Sequence, residues 1–384
     1  MRTRGNQAAA AERQRRRLVR ELIGAGLLTD PSWQAAFTAV PRHVFLPRFF
    51  QPDADGRWAA TDSTDPDWLD LVYRDRVLVT QLDGDPGRWT AARQSGPVRG
   101  VPTSSSSQPA IMAVMLKHLA VADGQHALEI GTGTGYNAAL LAHRLGADAV
   151  TSVDIDADLI ATAMQNLTDA NYRPHVAVAD GAGGFAAHAP YDRVLATCAV
   201  STIPPAWLDQ TVPGGMVLTS LNRPIGAGMV RITVGQGATG QGRVLAADGR
   251  FMPLRAHRLV LRRTQGEPPA ETGTSTLDPA KLLSPASPFE FFAGLALPEV
   301  HVVQESTGLR LAHPDGSWAR ALAGSRRHDV EQGGPRRLWT LLEAAHEQWL
   351  SLDRPRRARF GITVRGSRQE LWLDDEDSPY RWPL

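Results

Sequence analysis

The segment Leu128-Glu129-Ile130-Gly131-Thr132-Gly133-Thr134-Gly135-Tyr136 constrains this chain more than any other. A short apolar run, Ala127 to Ile130, leads into glycines at alternate positions and then into an amphipathic stretch, residues 136–145. This is the pattern of a strand passing into a helix through a tight turn. Glycine permits positive φ and lets a ligand approach without a Cβ clash, while the helix N-terminus offers unpaired N–H groups. The alternation continues with strands predicted at 149–153, 176–178 and 193–197 and a helix at 156–169. Strands alternating with helices predict an α/β fold, a parallel sheet with helices on both faces.

What such a loop binds is narrowed by its neighbours. Asp154, at the end of the next predicted strand, is placed to accept hydrogen bonds from ribose hydroxyls. Loop and carboxylate together leave a dinucleotide or S-adenosylmethionine as ligands. Three details favour S-adenosylmethionine. The glycines read GxGxG, so the third glycine of the pyrophosphate fingerprint is displaced. Asp180-Gly181 follows the third strand, where an acidic side chain can receive the adenine amino group. The fourth strand ends in Ala196-Thr197-Cys198-Ala199, small enough to let the ligand approach.

Around this centre the organisation is looser. Residues 10–29 have helical spacing, and Thr29-Asp30-Pro31 reads as a stop and a new N-cap. From Val40 to Ser107 the pattern is irregular, with short strands expected at 71–73 and 76–79, and it reads as a lid or binding surface. Helix is expected at 109–121, a turn at Pro213-Gly214-Gly215, and antiparallel strands within 229–262. The stretch 264–288 is rich in Pro, Thr, Ser and Glu and reads as a linker. A helix at 336–351 and strands at 360–364 and 369–373 follow. The expected domains are therefore 1–108 (N-terminal helices and lid), 109–263 (ligand-binding core), 264–288 (linker) and 289–384 (a smaller α+β accessory domain).

Composition excludes several classes. With 41 basic and 40 acidic residues the formal net charge is +1, too small for nucleic-acid binding by bulk electrostatics. A lone cysteine, Cys198, rules out an intrachain disulfide framework and fits a reducing, cytoplasmic setting. No apolar run approaches the ~20 residues a membrane helix needs. Histidines show no HxH or HExxH spacing, so no metal site is expected.

The segment from Arg13 to Gly215 resembles the protein-L-isoaspartate (D-aspartate) O-methyltransferase family. The resemblance rests on Ala39-Val40-Pro41-Arg42-His43-Val44-Phe45-Leu46-Pro47, on Ser104-Ser105-Ser106-Ser107-Gln108-Pro109, on Glu129 to Tyr136, on Ala179-Asp180-Gly181, on Pro190-Tyr191-Asp192, and on Ile203-Pro204-Pro205 with Pro213-Gly214-Gly215. It implies a class I S-adenosylmethionine-dependent methyltransferase fold with a Rossmann-like seven-strand sheet. It also implies carboxylate methylation, with S-adenosylhomocysteine as by-product. Carried over by position, the expected cofactor residues are Ser105, Ser106, Ser107, Glu129, Gly131, Thr132, Gly133, Gly135, Tyr136, Asp154, Ile155, Asp180, Gly181 and Thr197. Ser107 and Ser106 are the expected catalytic pair. Two stretches depart from the family pattern: Ser105-Ser106 stands where Thr-Ile is usual, and Tyr73 to Val79 replaces an acidic-proline-leucine-proline run. Both face substrate in the family. The Ser-rich stretch and the RFGITV…LWLDD ending resemble a branch found beside ATP-grasp ligases in ribosomal-peptide gene clusters, the graspetides. That resemblance implies methylation of an aspartate side chain in a macrocyclised peptide, followed by closure to an aspartimide. Protein-repair methylation of isoaspartate and a non-catalytic cofactor-binding scaffold are the alternatives. The expected partner is a modified precursor peptide and the expected state a monomer.

An aspartate carboxylate has a pKa near 4 and is already ionised at neutral pH, so this chemistry needs no strong base. Cys198 therefore reads as a small buried residue, and His43 as a packed one. Trp58, Trp68 and Trp89 read as core anchors, and Arg15 to Arg17 and Arg354 to Arg359 as solvated surface.

Overall fold

The computed structural model describes residues 2–257, 270–305, 308–324 and 327–384. It divides into two compact units, Met1–Cys198 with Pro204–Leu218, and Ala199–Ile203 with Thr219–Leu384.

The first unit opens with helices α1 (Arg2–Gly24) and α2 (Pro31–Ala39). Asp30 caps α2 by accepting from the Ser32 and Trp33 amides, with Pro31 at the first helical position, as the sequence predicted. Next come β1 (Arg48–Pro52), β2 (Trp58–Asp62), α3 (Trp68–Val72), β3 (Leu78–Leu82), α4 (Gly87–Ser95) and β4 (Pro102–Ser106). This region, expected to be irregular, is an antiparallel sheet in the order β2–β1–β3–β4. Its strands are only five residues long, too short to show period-two alternation above the noise. Residues 71–73 end helix α3 instead of forming a strand. The small core of this sheet gathers Phe50, Val79, Leu82 and Ala92 with Trp58 and Trp89 against it. Trp68 is buried and donates from Nε1 to the Leu46 carbonyl at 2.8 Å. All three tryptophans are thus anchors.

The chain then builds α5 (Pro109–Leu119), β5 (Ala127–Ile130), α6 (Tyr136–Leu145), β6 (Val150–Asp154), α7 (Ala157–Asp169), β7 (His175–Val178), β8 (Tyr191–Val200), α8 (Pro205–Asp209) and β9 (Thr211–Asn222). Strands β7, β6, β5 and β8 lie side by side in parallel, with β9 beside β8. The register pairs Ile130 with Val153 on one side and with Ala196 on the other. Pro213-Gly214-Gly215, read as a turn, lies inside β9, where Gly214 takes φ +82 and the strand carries on.

The second unit is β-rich. It contains β10 (Ala227–Val234), β11 (Thr239–Val244), β12 (Ala270–Ser275), α9 (Glu290–Ala296), β13 (His301–Glu305), β14 (Gly308–Ala312), β15 (Trp318–Leu322), β16 (His328–Gly333), α10 (Leu338–Ser351), β17 (Phe360–Arg365), β18 (Arg368–Leu373) and β19 (Arg381–Pro383). Strands β19, β18, β17, β11 and β10 lie side by side in that order, and a separate five-stranded sheet runs β12–β16–β15–β14–β13. The expected antiparallel strands of 229–262 are present as β10 and β11, and residues 258–262 lie outside the described residues. Within the stretch read as a linker, Ala270–Ser275 is strand β12, paired along its length with β16, while 264–269 lie outside the described residues.

Candidate functional site

All of β5 is buried, and it ends where the backbone must turn hard. Gly131 has φ +97, and a Cβ there would stand 2.7 Å from Thr197 Oγ1. Gly135 has φ +88, caps the start of α6, and would push a Cβ to 3.3 Å from Ala163 on α7. Both positions therefore demand glycine. The Gly131 and Thr132 amides both donate to the Val153 carbonyl, which fixes the loop to β6.

The topology tells where the ligand goes. The chain runs outward from β5 through β6 to β7, then returns to the other flank of β5 as β8. Connections diverge at that reversal, and a crevice opens at the carboxyl ends of β5 and β8. A small cleft, partly open to solvent, lies there. Gly131, Thr132, Gly133 and Thr134 of the loop line it, together with Glu129, Tyr136, Asn137 and Thr197. Strand β4 brings Ser105 and Ser106 to the same cleft, with Ser107, just past the strand end, and Met112 also in the lining.

Glu129 is fully buried. Its Oε1 accepts from Asn137 Nδ2 and its Oε2 from Ser152 Oγ, both at 2.6 Å. Thr132 Oγ1 lies 2.7 Å from Ser152 Oγ, which extends the chain of hydroxyls. Burial pushes the Glu129 carboxyl up to about 7, although these hydrogen bonds oppose the shift. Thr197 Oγ1 donates to the Gly131 carbonyl at 2.7 Å.

Of the expected cofactor residues, the cleft gathers Ser105, Ser106, Ser107, Glu129, Gly131, Thr132, Gly133, Tyr136 and Thr197. Gly135, Asp154, Ile155, Asp180 and Gly181 are not among its lining residues. Gly135 is spent on the helix cap. Asp154 is drawn to the loop, where Oδ2 accepts from the Gly133 amide at 3.0 Å and Oδ1 from the Asp156 amide at 3.2 Å. Ile155 is exposed, and so is Asp180, whose carboxylate accepts from the Ala182 amide at 3.0 Å. Gly181 is buried, its carbonyl taking the Trp207 indole N–H. Asp154 and Val178 are register partners, so Asp154 and Asp180 close the same edge of the sheet as the glycine loop.

Residues the sequence reading missed include Asn137, Met112 and Thr134 in the lining and Arg42 behind it. Arg42 is fully buried, and its guanidinium reaches the Ser107 carbonyl at 3.1 Å. Asn137 alone left a signal, being the second residue of α6 and so facing the strand that carries Glu129. Cys198 donates to the Ile130 carbonyl, and burial raises its thiol pKa, so it is no nucleophile. His43 packs against Trp68 and hydrogen-bonds Tyr73 Oη at 2.8 Å. Burial lowers its pKa to about 4. Among the described residues no group of three or more His, Cys, Asp or Glu is arranged to hold a metal, and no helix is long and apolar enough to cross a membrane.

Comparison with known proteins agrees with this geometry. The family described as protein-L-isoaspartate (D-aspartate) O-methyltransferase matches residues 93–254. The chain is 32% identical over 213 residues to the protein-L-isoaspartate O-methyltransferase of Methanoculleus marisnigri, spanning 55% of this chain and 79% of that protein. The chain belongs to this family. It is an S-adenosylmethionine-dependent O-methyltransferase, and S-adenosylmethionine is its methyl donor. A second relative, protein-L-isoaspartate O-methyltransferase 2 of Anaeromyxobacter sp. (strain Fw109-5), is 29% identical over 251 residues, spanning 65% of this methyltransferase and 86% of the relative. A solved protein-L-isoaspartate O-methyltransferase structure superposes with a TM-score of 0.53 at 22% identity, covering 94% of this chain and 100% of that one. At that identity the likeness speaks for the fold, the class I methyltransferase α/β fold that the family resemblance implied.

Proposed function

We propose that the methyltransferase esterifies an aspartate side chain of a macrocyclised ribosomal peptide of the graspetide kind, and that the ester then closes to an aspartimide. The observation that carries this reading is the convergence of one departure from the family pattern on the cofactor cleft: Ser105 and Ser106, beside the Ser107 that matches the family, line the same cavity as the glycine loop. A wall of hydroxyls there suits a carboxylate guest.

The residues present fit S-adenosylmethionine. The α6 N-terminus suits its anionic methionine carboxylate, Asp154 and Asp180 its ribose and adenine, and buried Glu129 its positive charge. When bound, S-adenosylmethionine supplies an electrophilic methyl group. The protein needs to hold the substrate carboxylate in line and keep water away, and such orientation is worth roughly 7–11 kcal/mol. Ser106 and Ser107 donate to the carboxylate oxygen that does not attack, leaving the other free. Once esterified, the side-chain carbonyl is attacked by the amide nitrogen of the following residue, methanol leaves, and a five-membered imide results.

A second reading, repair of isoaspartyl residues, has the names of the relatives in its favour. Mass spectrometry separates the two. With S-adenosylmethionine, a cyclised precursor is expected to gain one methylene and then show a net loss of one water. Turnover of a linear isoaspartyl peptide alone would establish repair instead. Asp154→Ala, which removes both the proposed ribose acceptor and the tie to Gly133, is expected to abolish S-adenosylmethionine binding in calorimetry. Unchanged affinity would remove Asp154 from the site.

A further inference from the structure

Behind the hydroxyl wall sits a buried cation that no step above has used. Arg42 Nη1 donates to the Val72 carbonyl at 2.6 Å and to that of Arg74 at 3.2 Å. Nη2 reaches the Arg76 carbonyl at 3.2 Å, the Ser107 carbonyl at 3.1 Å and, more weakly, Ser106 Oγ at 3.4 Å. Among the described residues no carboxylate forms an ion pair with it. A fully buried charge with no ion-paired carboxylate is costly, even though the Asp75 charge favours it from farther off, and a guanidinium placed only for stability would normally sit directly against a carboxylate. Here the charge is solvated by carbonyl dipoles, and every one of them belongs to two segments, the 72–76 loop and the end of β4. The exposed side of the same joint is closed by Asp75, whose carboxylate accepts from Gln108 Nε2 and from the Ala110 amide, both at 2.8 Å. Loop and strand end are clasped from within and from without.

We infer that Arg42 is a positioning residue for methyl transfer: with Asp75 it clamps the 72–76 loop to Ser106 and Ser107 and so sets where the hydroxyl wall of the cleft stands. The inference rests on the reading of that wall as the seat of the substrate carboxylate. By giving an N–H to Ser106 Oγ, Arg42 also fills one of its lone pairs and leaves the serine proton to be donated into the cleft. Lysine cannot replace it, since a compact ammonium lacks the planar fork that spans both segments. Misplacing a reacting group by about 1 Å costs on the order of 100-fold in rate.

The test compares Arg42→Lys, Arg42→Met and the exposed variant Asp75→Asn with wild type. Turnover is measured on whichever peptide the wild type methylates, S-adenosylmethionine affinity by calorimetry, and amide hydrogen exchange along the chain. Expected are a kcat about 100-fold lower for both Arg42 variants and about tenfold lower for Asp75→Asn. Cofactor Kd should stay within about threefold, because the loop and Asp154 are untouched. Exchange should quicken in 72–77 and 105–110 together. Full kcat per folded molecule in Arg42→Lys or Asp75→Asn, or unaltered exchange in both segments, overturns the inference. A wild type that binds S-adenosylmethionine yet methylates no peptide sinks the substrate reading instead, and the exchange data still decide the clamp.

Discussion

Glu129 spends both carboxyl oxygens on partners inside the protein, so its titration is a property of the fold. Its folded pKa, about 7, lies above the ordinary 4.5, which means the native state holds the proton more tightly than the unfolded chain does. Between about pH 4.5 and 7 the unfolded chain has released that proton while the native state keeps it. Stability contributed by this group therefore falls as pH rises through the window and is flat above it. Glu129→Gln removes the titration. In urea unfolding at pH 5 and pH 8, the stability of wild type relative to the variant should drop by an amount on the order of 3 kcal/mol. Parallel behaviour of the two proteins would show that Glu129 ionises freely in the fold. Legibility at this scale divides cleanly. Gly131 and Asp154 were readable because their demands, a positive φ and a strand-end carboxylate, are local. Arg42 was not, because its partners are carbonyls 30 to 65 residues away in sequence, and carbonyls leave no mark on composition.

At the scale of elements, the loop between β5 and α6 works because two neighbours press on it, Thr197 from β8 and Ala163 from α7. Gly131→Ala is expected to cost about 1–3 kcal/mol for its φ and a comparable amount for the contact with Thr197 Oγ1. Adding Thr197→Ala should recover the contact part alone, giving a coupling of about 1 kcal/mol or more in a double-mutant cycle. Strictly additive costs would mean that the loop moves away from β8 instead of meeting it. The parallel strands and their helices were legible in the sequence because buried strands read as short apolar runs between glycines. The β1–β4 sheet was not. Its sides are held by cross-strand pairs such as Phe50 with Val79, and its core is a handful of aromatic contacts that no local period reveals. That the serine run is ordered was visible only once β4 was seen paired with β3.

Across the whole molecule the net charge of +1 conceals many charges that already have partners. In the arginine-rich 354–359 stretch, Arg357 pairs with Asp248 at 2.8 Å and Arg359 with Asp374 at 2.7 Å. Near the N-terminus Arg16 pairs with Glu12, and Arg17 with Asp70 at 3.2 Å. A basic face assembled to grip an acidic precursor peptide would leave such groups open. On the proposed function, recognition by shape and by hydroxyl groups within the cleft makes a prediction about ionic strength. Exposed charge pairs are screened beyond roughly 8–10 Å at physiological salt, while short hydrogen bonds in a cleft are not. Raising salt from about 50 to about 500 mM should therefore shift the KM for peptide by less than about threefold, with kcat unchanged. A tenfold rise in KM would instead assign the exposed Arg354 and Arg356 of that stretch to substrate capture. In that case Arg354→Ala with Arg356→Ala should abolish the salt dependence and leave the turnover of saturated enzyme intact.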